Sequence, residues 1–254
     1  MSQKNCLITG GPRGIGRATA LLAAKAGWAV SIAGLAEHMD DANAVVKEIE
    51  AAGGKAVAIA ADVSKEAEIV AMFDEAERRL GPVRGVVNAA GMPYGGPVTG
   101  LAFAPLEKMM TVNIVGLIVC CREAARRMST ASGGQGGSIV NISSLAVTIG
   151  GRPGAAAYAA SKAAVDCFTT GMAREVANQG IRVNTVRPGA IVTAMTAAMT
   201  ATPEQRAHMD KSIPLGRMGE PEEIGEVAVW LLSDHASLVS GAHVNAGGGG
   251  FVIA

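Results

Sequence analysis

Thr9-Gly10-Gly11-Pro12-Arg13-Gly14-Ile15-Gly16 decides how this chain is read. It follows a short apolar run, 6–9, and precedes an Ala- and Leu-rich stretch with helical spacing, 14–26. A turn this tight from strand to helix needs residues that accept positive φ, and glycine supplies them. The turn also leaves bare backbone at a helix N-terminus, where free N–H groups and a partial positive charge suit a phosphate. The spacing is G-x-x-x-G-x-G rather than G-x-G-x-x-G, so by itself the segment reads either as a nucleotide cradle or as a structural bend.

Outward from this turn, strand and helix patterns alternate. Strands are expected at 6–9, 29–33, 56–61, 83–88, 138–142, 181–186 and 242–245. Helices are expected at 14–26, 41–52, 64–80 (with Ser64 as N-cap), 106–128 in two pieces, 158–179 and 221–232. Near-continuous apolar strands separated by helices imply a parallel sheet covered on both faces. Right-handed crossovers then give an α/β fold with one doubly wound, Rossmann-like sheet. No linker or repeat divides the chain, so 1–254 reads as one domain. The glycine cluster 133–137 reads as a plain surface loop.

Composition excludes several classes. Of 254 residues, 49% are hydrophobic, 3% aromatic, and the formal net charge is zero. No long basic run occurs, and Arg78-Arg79 and Arg126-Arg127 read as solvated helix faces, so no nucleic-acid partner is expected. No run of some 20 apolar residues and no leader-like start is seen, so no membrane association and a soluble cytoplasmic protein are expected. Cys6, Cys120, Cys121 and Cys167 show no C-x-x-C spacing and no clustering with histidine. They read as small buried hydrophobes in a reducing compartment, and no metal site is expected.

Two further features bear on chemistry. Many NAD-binding sheets carry an acid at the end of the second strand for the adenosine ribose. Here Gly34 and Leu35 stand in that place. Arg13, within the glycine turn, is placed to face a 2′-phosphate, which favours NADP(H), while nearby Glu37 leaves NAD(H) open. Tyr158 and Lys162 lie four apart in a helical pattern and so share a face. An ammonium beside a phenol favours the phenolate and moves its pKa down toward the working range. Such a pair also arises by chance.

With these motifs in order, the chain resembles the short-chain dehydrogenase/reductase family over essentially its full length. The residues that carry the resemblance are Thr9-Gly10-x-x-x-Gly14-x-Gly16, Asp62-Val63, Asn88-Ala89-Ala90-Gly91, Asn113, Ser144, Tyr158-x-x-x-Lys162 and Arg187-Pro188-Gly189-x-Ile191-x-Thr193. The resemblance implies a catalytic set of Asn113, Ser144, Tyr158 and Lys162. It implies cofactor contacts from Gly10, Arg13, Gly14, Ile15, Gly16, Asp62, Val63, Asn88, Ala89, Gly91, Tyr158, Lys162, Pro188, Gly189, Ile191 and Thr193. The interval from Ser144 to Tyr158 is one residue longer than is usual, which makes Ser143 a rival for the serine role.

The activity so implied is hydride transfer between NADP(H) and a carbonyl or secondary alcohol, as in ketone or 3-oxoacyl reductases. A sugar or polyol dehydrogenase using NAD(H) and a non-catalytic dinucleotide sensor are the alternatives. Specificity is expected from 92–98, from 147–157 and from a mobile lid around 190–215, with Tyr94 at the pocket mouth and Met195 and Met199 as a soft apolar wall. With no Arg or Lys cluster evident there, a neutral small-molecule carbonyl substrate is expected. The family further implies a homotetramer, with Phe251 in the tail approaching a neighbour's site.

Overall fold

The computed structural model describes residues 3–250, so Phe251 lies outside the described residues. Seven parallel strands form one sheet in the order β3-β2-β1-β4-β5-β6-β7. They are β1 (Asn5–Thr9), β2 (Ala29–Gly34), β3 (Ala56–Ala60), β4 (Val83–Asn88), β5 (Gly137–Ile142), β6 (Ile181–Pro188) and β7 (His243–Ala246). The chain reverses its direction of winding between β1 and β4. In such sheets the crevice at the carboxyl ends of these two strands is where ligands lie.

Strand residues are apolar without alternation because both faces are covered. One face packs α1 (Gly14–Lys25), α2 (Met39–Ala51) and α8 (Pro221–Leu232) over Ile8, Val30, Ile32 and Val186. The other packs α3 (Glu66–Leu80), α5 (Leu117–Met128) and α6 (Ala156–Val176) over Leu7, Val86, Ile139 and Val183. Phe73, with no exposed surface, anchors this second layer. Each such side chain contributes roughly 1.5–3 kcal/mol of burial.

Several expectations are corrected. The third helix starts at Glu66 with Lys65 as N-cap, not Ser64. Ser64 instead donates from N and Oγ to Asp62 Oδ1, at 2.9 and 2.7 Å, which competes with a capping role. The pieces expected within 106–128 are α4 (Phe103–Met110) and α5, joined by a π-helical turn, Thr111–Gly116. A helix not foreseen, α7 (Pro203–Lys211), lies in the expected lid and opens on a Thr202–Gln205 capping box. Cys167 is exposed on α6, whereas Cys6, Cys120 and Cys121 are buried.

Phe103–Met128 is long and apolar enough to cross a membrane by length and composition alone, whereas no such stretch is expected from the sequence. Its Leu117, Cys120, Cys121, Ala124 and Met128 pack into the core of the sheet. Nor are Arg126 and Arg127 merely a solvated face. Both pair with buried Glu123, and Arg127 also reaches Asp74 and lies over the Phe73 ring, tying α5 to α3.

Candidate functional site

The glycine turn is built on close approach. Gly10 has φ +67°, and a Cβ there would lie 2.8 Å from the Ala90 nitrogen. A Cβ on Gly16 would lie 2.1 Å from the Gly10 carbonyl oxygen. Gly14 has φ +50°, and its missing Cβ would meet Thr193 Cγ2 at 3.3 Å, so the segment after β6 closes over the turn. Arg13 is the N-cap of α1 but makes no side-chain cap bond, and no acid stands in the first turn. The first N–H groups of α1 thus face an uncrowded, anion-favouring space. Ile15 packs beneath it against the first core layer. Gly16→Ala is expected to displace the turn, weakening dinucleotide binding at least tenfold and lowering Tm by several degrees. Equilibrium titration and thermal unfolding check both.

Beside the turn lies a cavity of about 470 Å³, lined by Gly10, Arg13, Gly34, Asp62, Val63 and Gly91 among others. A side chain at 34 would meet Pro12 Cγ at 2.6 Å, which accounts for the missing acid. Burial pushes the Asp62 carboxyl up, yet the Ser64 hydrogen bonds and the nearby Lys65 and Lys108 hold it below its usual range. Arg13 does line this cavity, but its Nε pairs with Asp41 Oδ2 at 2.5 Å. The cradle and cavity, with bare backbone on one side and a carboxylate on the other, fit an adenine dinucleotide.

The residues expected to be catalytic converge at the carboxyl ends of β4 and β5. The π turn carries Asn113 into the interior, and Gly116 within it passes so close to the Val63 carbonyl that a Cβ would lie 2.2 Å from that oxygen. The Asn113 amide accepts from Met92 N at 2.9 Å and donates to Met92 O at 3.0 Å and Ser161 Oγ at 3.1 Å. Lys162 Nζ donates to Ile142 O at 2.9 Å and lies 6.0 Å from the centre of the Tyr158 ring. A Cβ on Gly91 would lie 3.3 Å from Asn113 Oδ1 and 3.4 Å from Lys162 Nζ, so the backbone just after β4 runs close against both side chains.

Ser144 Oγ accepts from Ala146 N at 3.1 Å, and its hydroxyl is near enough to the Tyr158 phenol to pull that group's pKa down. Ser143 is spent elsewhere: buried, it donates to the Lys162 carbonyl at 3.2 Å. Asn88 serves the core, donating to Asn141 Oδ1 at 2.8 Å, and Ala89 is the neighbour that the Gly10 turn presses against. Pro188 ends β6. Gly189 passes Gly247 so closely that a Cβ would lie 2.7 Å from its Cα, and Ile191 is buried in the first core layer.

The electrostatics differ from the expectation of a lowered phenol pKa. Burial pushes Tyr158 above its ordinary value, and the Ser144 hydrogen bond only partly opposes it. The depressed group is Lys162: burial brings it from 10.5 to about 8, with Asp166 pulling upward.

Around this site, Leu145, Ile149, Ile213, Leu215 and the glycines 247–250 line a further cavity of about 670 Å³. Met195 and Met199 are about half exposed and form no closed wall. Tyr94 is partly buried, its hydroxyl accepting from Ala102 N at 2.8 Å. Sequence reasoning missed Ser161, which links Asn113 to the Tyr158 carbonyl, and Gly247 opposite Gly189. Ser161 could have been found from its place on the Tyr158–Lys162 helix; Gly247 had no local signal.

Comparison with known proteins agrees with this arrangement. Residues 10–250 match the family model described as Enoyl-(Acyl carrier protein) reductase. An uncharacterized oxidoreductase of Escherichia coli, YgfF, is 43% identical over 96% of this chain and 98% of its own. The 3-oxoacyl-[acyl-carrier-protein] reductase of Rattus norvegicus is 37% identical over 94% and 97%. A solved dehydrogenase/reductase from Sinorhizobium meliloti superposes with a TM-score of 0.88 at 36% identity, covering 98% of this chain and 95% of that one. Sheet order, site and relatives together define an NAD(P)-dependent oxidoreductase. The chain belongs to the short-chain dehydrogenase/reductase family.

Proposed function

We propose that this protein is an NADPH-dependent carbonyl reductase acting on a neutral ketone or 3-oxoacyl compound. The observation that supports this best is the convergence of Ser144, Tyr158 and Lys162 beside the glycine cradle, with the Lys162 ammonium 6.0 Å from the Tyr158 ring centre and the Ser144 hydroxyl acting on the phenol. Gly10, Gly14, Gly16, Asp62, Val63, Gly91, Pro188, Gly189, Ile191 and Thr193 hold the dinucleotide, which supplies the hydride when bound. Tyr158 donates a proton to the substrate oxygen, and its raised pKa keeps it a phenol at neutral pH. Ser144 hydrogen-bonds the same oxygen and stabilises charge developing there. The Lys162 ammonium adds positive charge beside the phenol, and Asn113 fixes the Met92 backbone at the edge of the pocket.

The preference for NADPH rests on Arg13 at the cavity wall and on Gly34 leaving no acid there. The Arg13–Asp41 pair and Glu37 at the same wall favour the second reading, an NAD(H)-linked polyol dehydrogenase. Arg13→Ala is expected to raise KM for NADPH roughly tenfold and leave KM for NADH within about twofold, since one charge-assisted phosphate contact is lost. The segment 190–215, with α7 within it, serves as a lid over the substrate. A homotetramer is proposed from the family alone.

A panel of ketones, 3-oxoacyl thioesters and polyols, run with NADPH and NADH side by side, tests the reading. Carbonyl-dependent loss of NADPH absorbance is expected. Binding without turnover of any carbonyl or alcohol would replace the enzyme by a cofactor sensor.

A further inference from the structure

A row of polar residues crosses the sheet beneath α6. Thr9, Asn88, Asn141, Thr185 and His243 stand in register on β1, β4, β5, β6 and β7. At the β7 end the His243 ring is fixed between Thr185 Oγ1 at 2.7 Å and Thr170 Oγ1 at 3.0 Å. Asp166, on α6, meets this end of the row. Arg187 Nε donates to its Oδ2 at 2.8 Å, while His243 Nδ1 stands 3.8 Å from its Oδ1. That Oδ1 is buried and has no hydrogen-bond partner.

A buried carboxylate with one oxygen unspent is costly to keep unless it serves a nearby charge. The charged neighbour along the same helix face is Lys162, one turn before Asp166. Lys162 is itself 5% exposed, and its ammonium donates to the Ile142 carbonyl. Both groups lie out of solvent, so water screens their attraction little.

We propose that Asp166 is a positioning residue of the reduction reaction, the buried counter-charge that keeps Lys162 an ammonium beside Tyr158. Arg187 competes for the same carboxylate, and neutral His243 leaves Oδ1 free to act on Lys162. The Asp166 carboxylate meets Arg187 from β6 and His243 from β7, its backbone carbonyl accepts from Thr170 Oγ1, and Lys162 stands one turn before it on α6. Burial pushes His243 below its ordinary value; Asp166 opposes this and Arg187 acts in the same sense as burial, so the ring is neutral at pH 7. The inference rests on the catalytic reading of Lys162 given above.

The test is the pH dependence of kcat/KM for carbonyl reduction, with NADPH and a ketone that the wild type turns over. In Asp166→Asn the basic limb should move down by about one pH unit, the low end of what an opposite charge at short range does. Turnover at pH 9 should then fall about tenfold relative to wild type and stay within about twofold at pH 6. Asp166→Glu should restore the limb. Arg187→Gln, which frees the carboxylate for Lys162, should move it the other way. This opposite sign also serves if Asp166→Asn does not fold. An unmoved limb, an even loss at every pH, or a downward shift in Arg187→Gln would overturn the inference. If the wild type reduces no carbonyl at all, the catalytic reading fails instead.

Discussion

Tyr158→Phe should bind NADPH within about twofold of wild type and reduce its ketone about a thousandfold more slowly. The substitution removes one hydroxyl from a half-buried ring and leaves the ring packing intact. General acid catalysis is worth roughly 10²–10⁴ in rate, and no second hydroxyl replaces Tyr158. Ser143 donates to the Lys162 carbonyl, and the Ser144 hydroxyl, whose oxygen accepts from Ala146 N, can hydrogen-bond the substrate oxygen but is too weak an acid to give up its proton. Loss in kcat with little change in KM is the signature of an interaction made in the transition state. Steady-state kinetics and cofactor titration on the same preparation measure both. Retention of more than about a tenth of wild-type turnover would remove Tyr158 as the proton donor.

Lys162→Met should abolish turnover and yet make the folded protein more stable. Burial holds the wild-type ammonium at a pKa of about 8, against 10.5 for a lysine side chain free in water. At ~1.4 kcal/mol per pH unit, this amounts to about 3 kcal/mol of native-state cost at neutral pH. Methionine has a similar length and no charge to desolvate. A rise in Tm of roughly 5 °C is expected, less than the full cost implies because the bond to the Ile142 carbonyl is lost.

The sign with pH follows from the depressed value. Between about pH 8 and 10.5 the unfolded chain holds a proton on Lys162 that the folded chain has released. On this group's account, wild-type stability therefore rises through that window, and the rise should be missing in Lys162→Met. Thermal unfolding from pH 7 to 10 measures it, and a destabilised variant with no change in slope would contradict a buried, charge-penalised lysine. The pattern is a strained site: the ammonium that the reaction uses is one that folding alone would discard.

How much is legible in the sequence varies by residue. Gly10, Gly14 and Gly16 are readable because positive φ and backbone contact leave few alternatives at a strand-to-helix turn. Tyr158 and Lys162 are readable as a pair because helical spacing fixes their common face. Ser144 against Ser143 is not decided there, since neighbouring serines at a strand end point to opposite sides. Only the bond from Ser143 to the Lys162 carbonyl separates them. Arg13 reads as a phosphate ligand, and its pairing with Asp41 depends on the fold bringing the first turn of α2 beside the glycine turn. The phenol pKa reads with the wrong sign, because spacing shows a neighbouring charge but not desolvation.

By itself the sequence determined the alternation of strands and helices, the seven-strand parallel sheet and the glycine turn, all of which follow from local periodicity and backbone freedom. Only the tertiary structure decided how the titratable groups behave. Lys162, Asp166, Arg187 and His243 come from α6, β6 and β7, and the burial that depresses Lys162 and the contacts that join the other three across the sheet are encoded by no spacing along the chain.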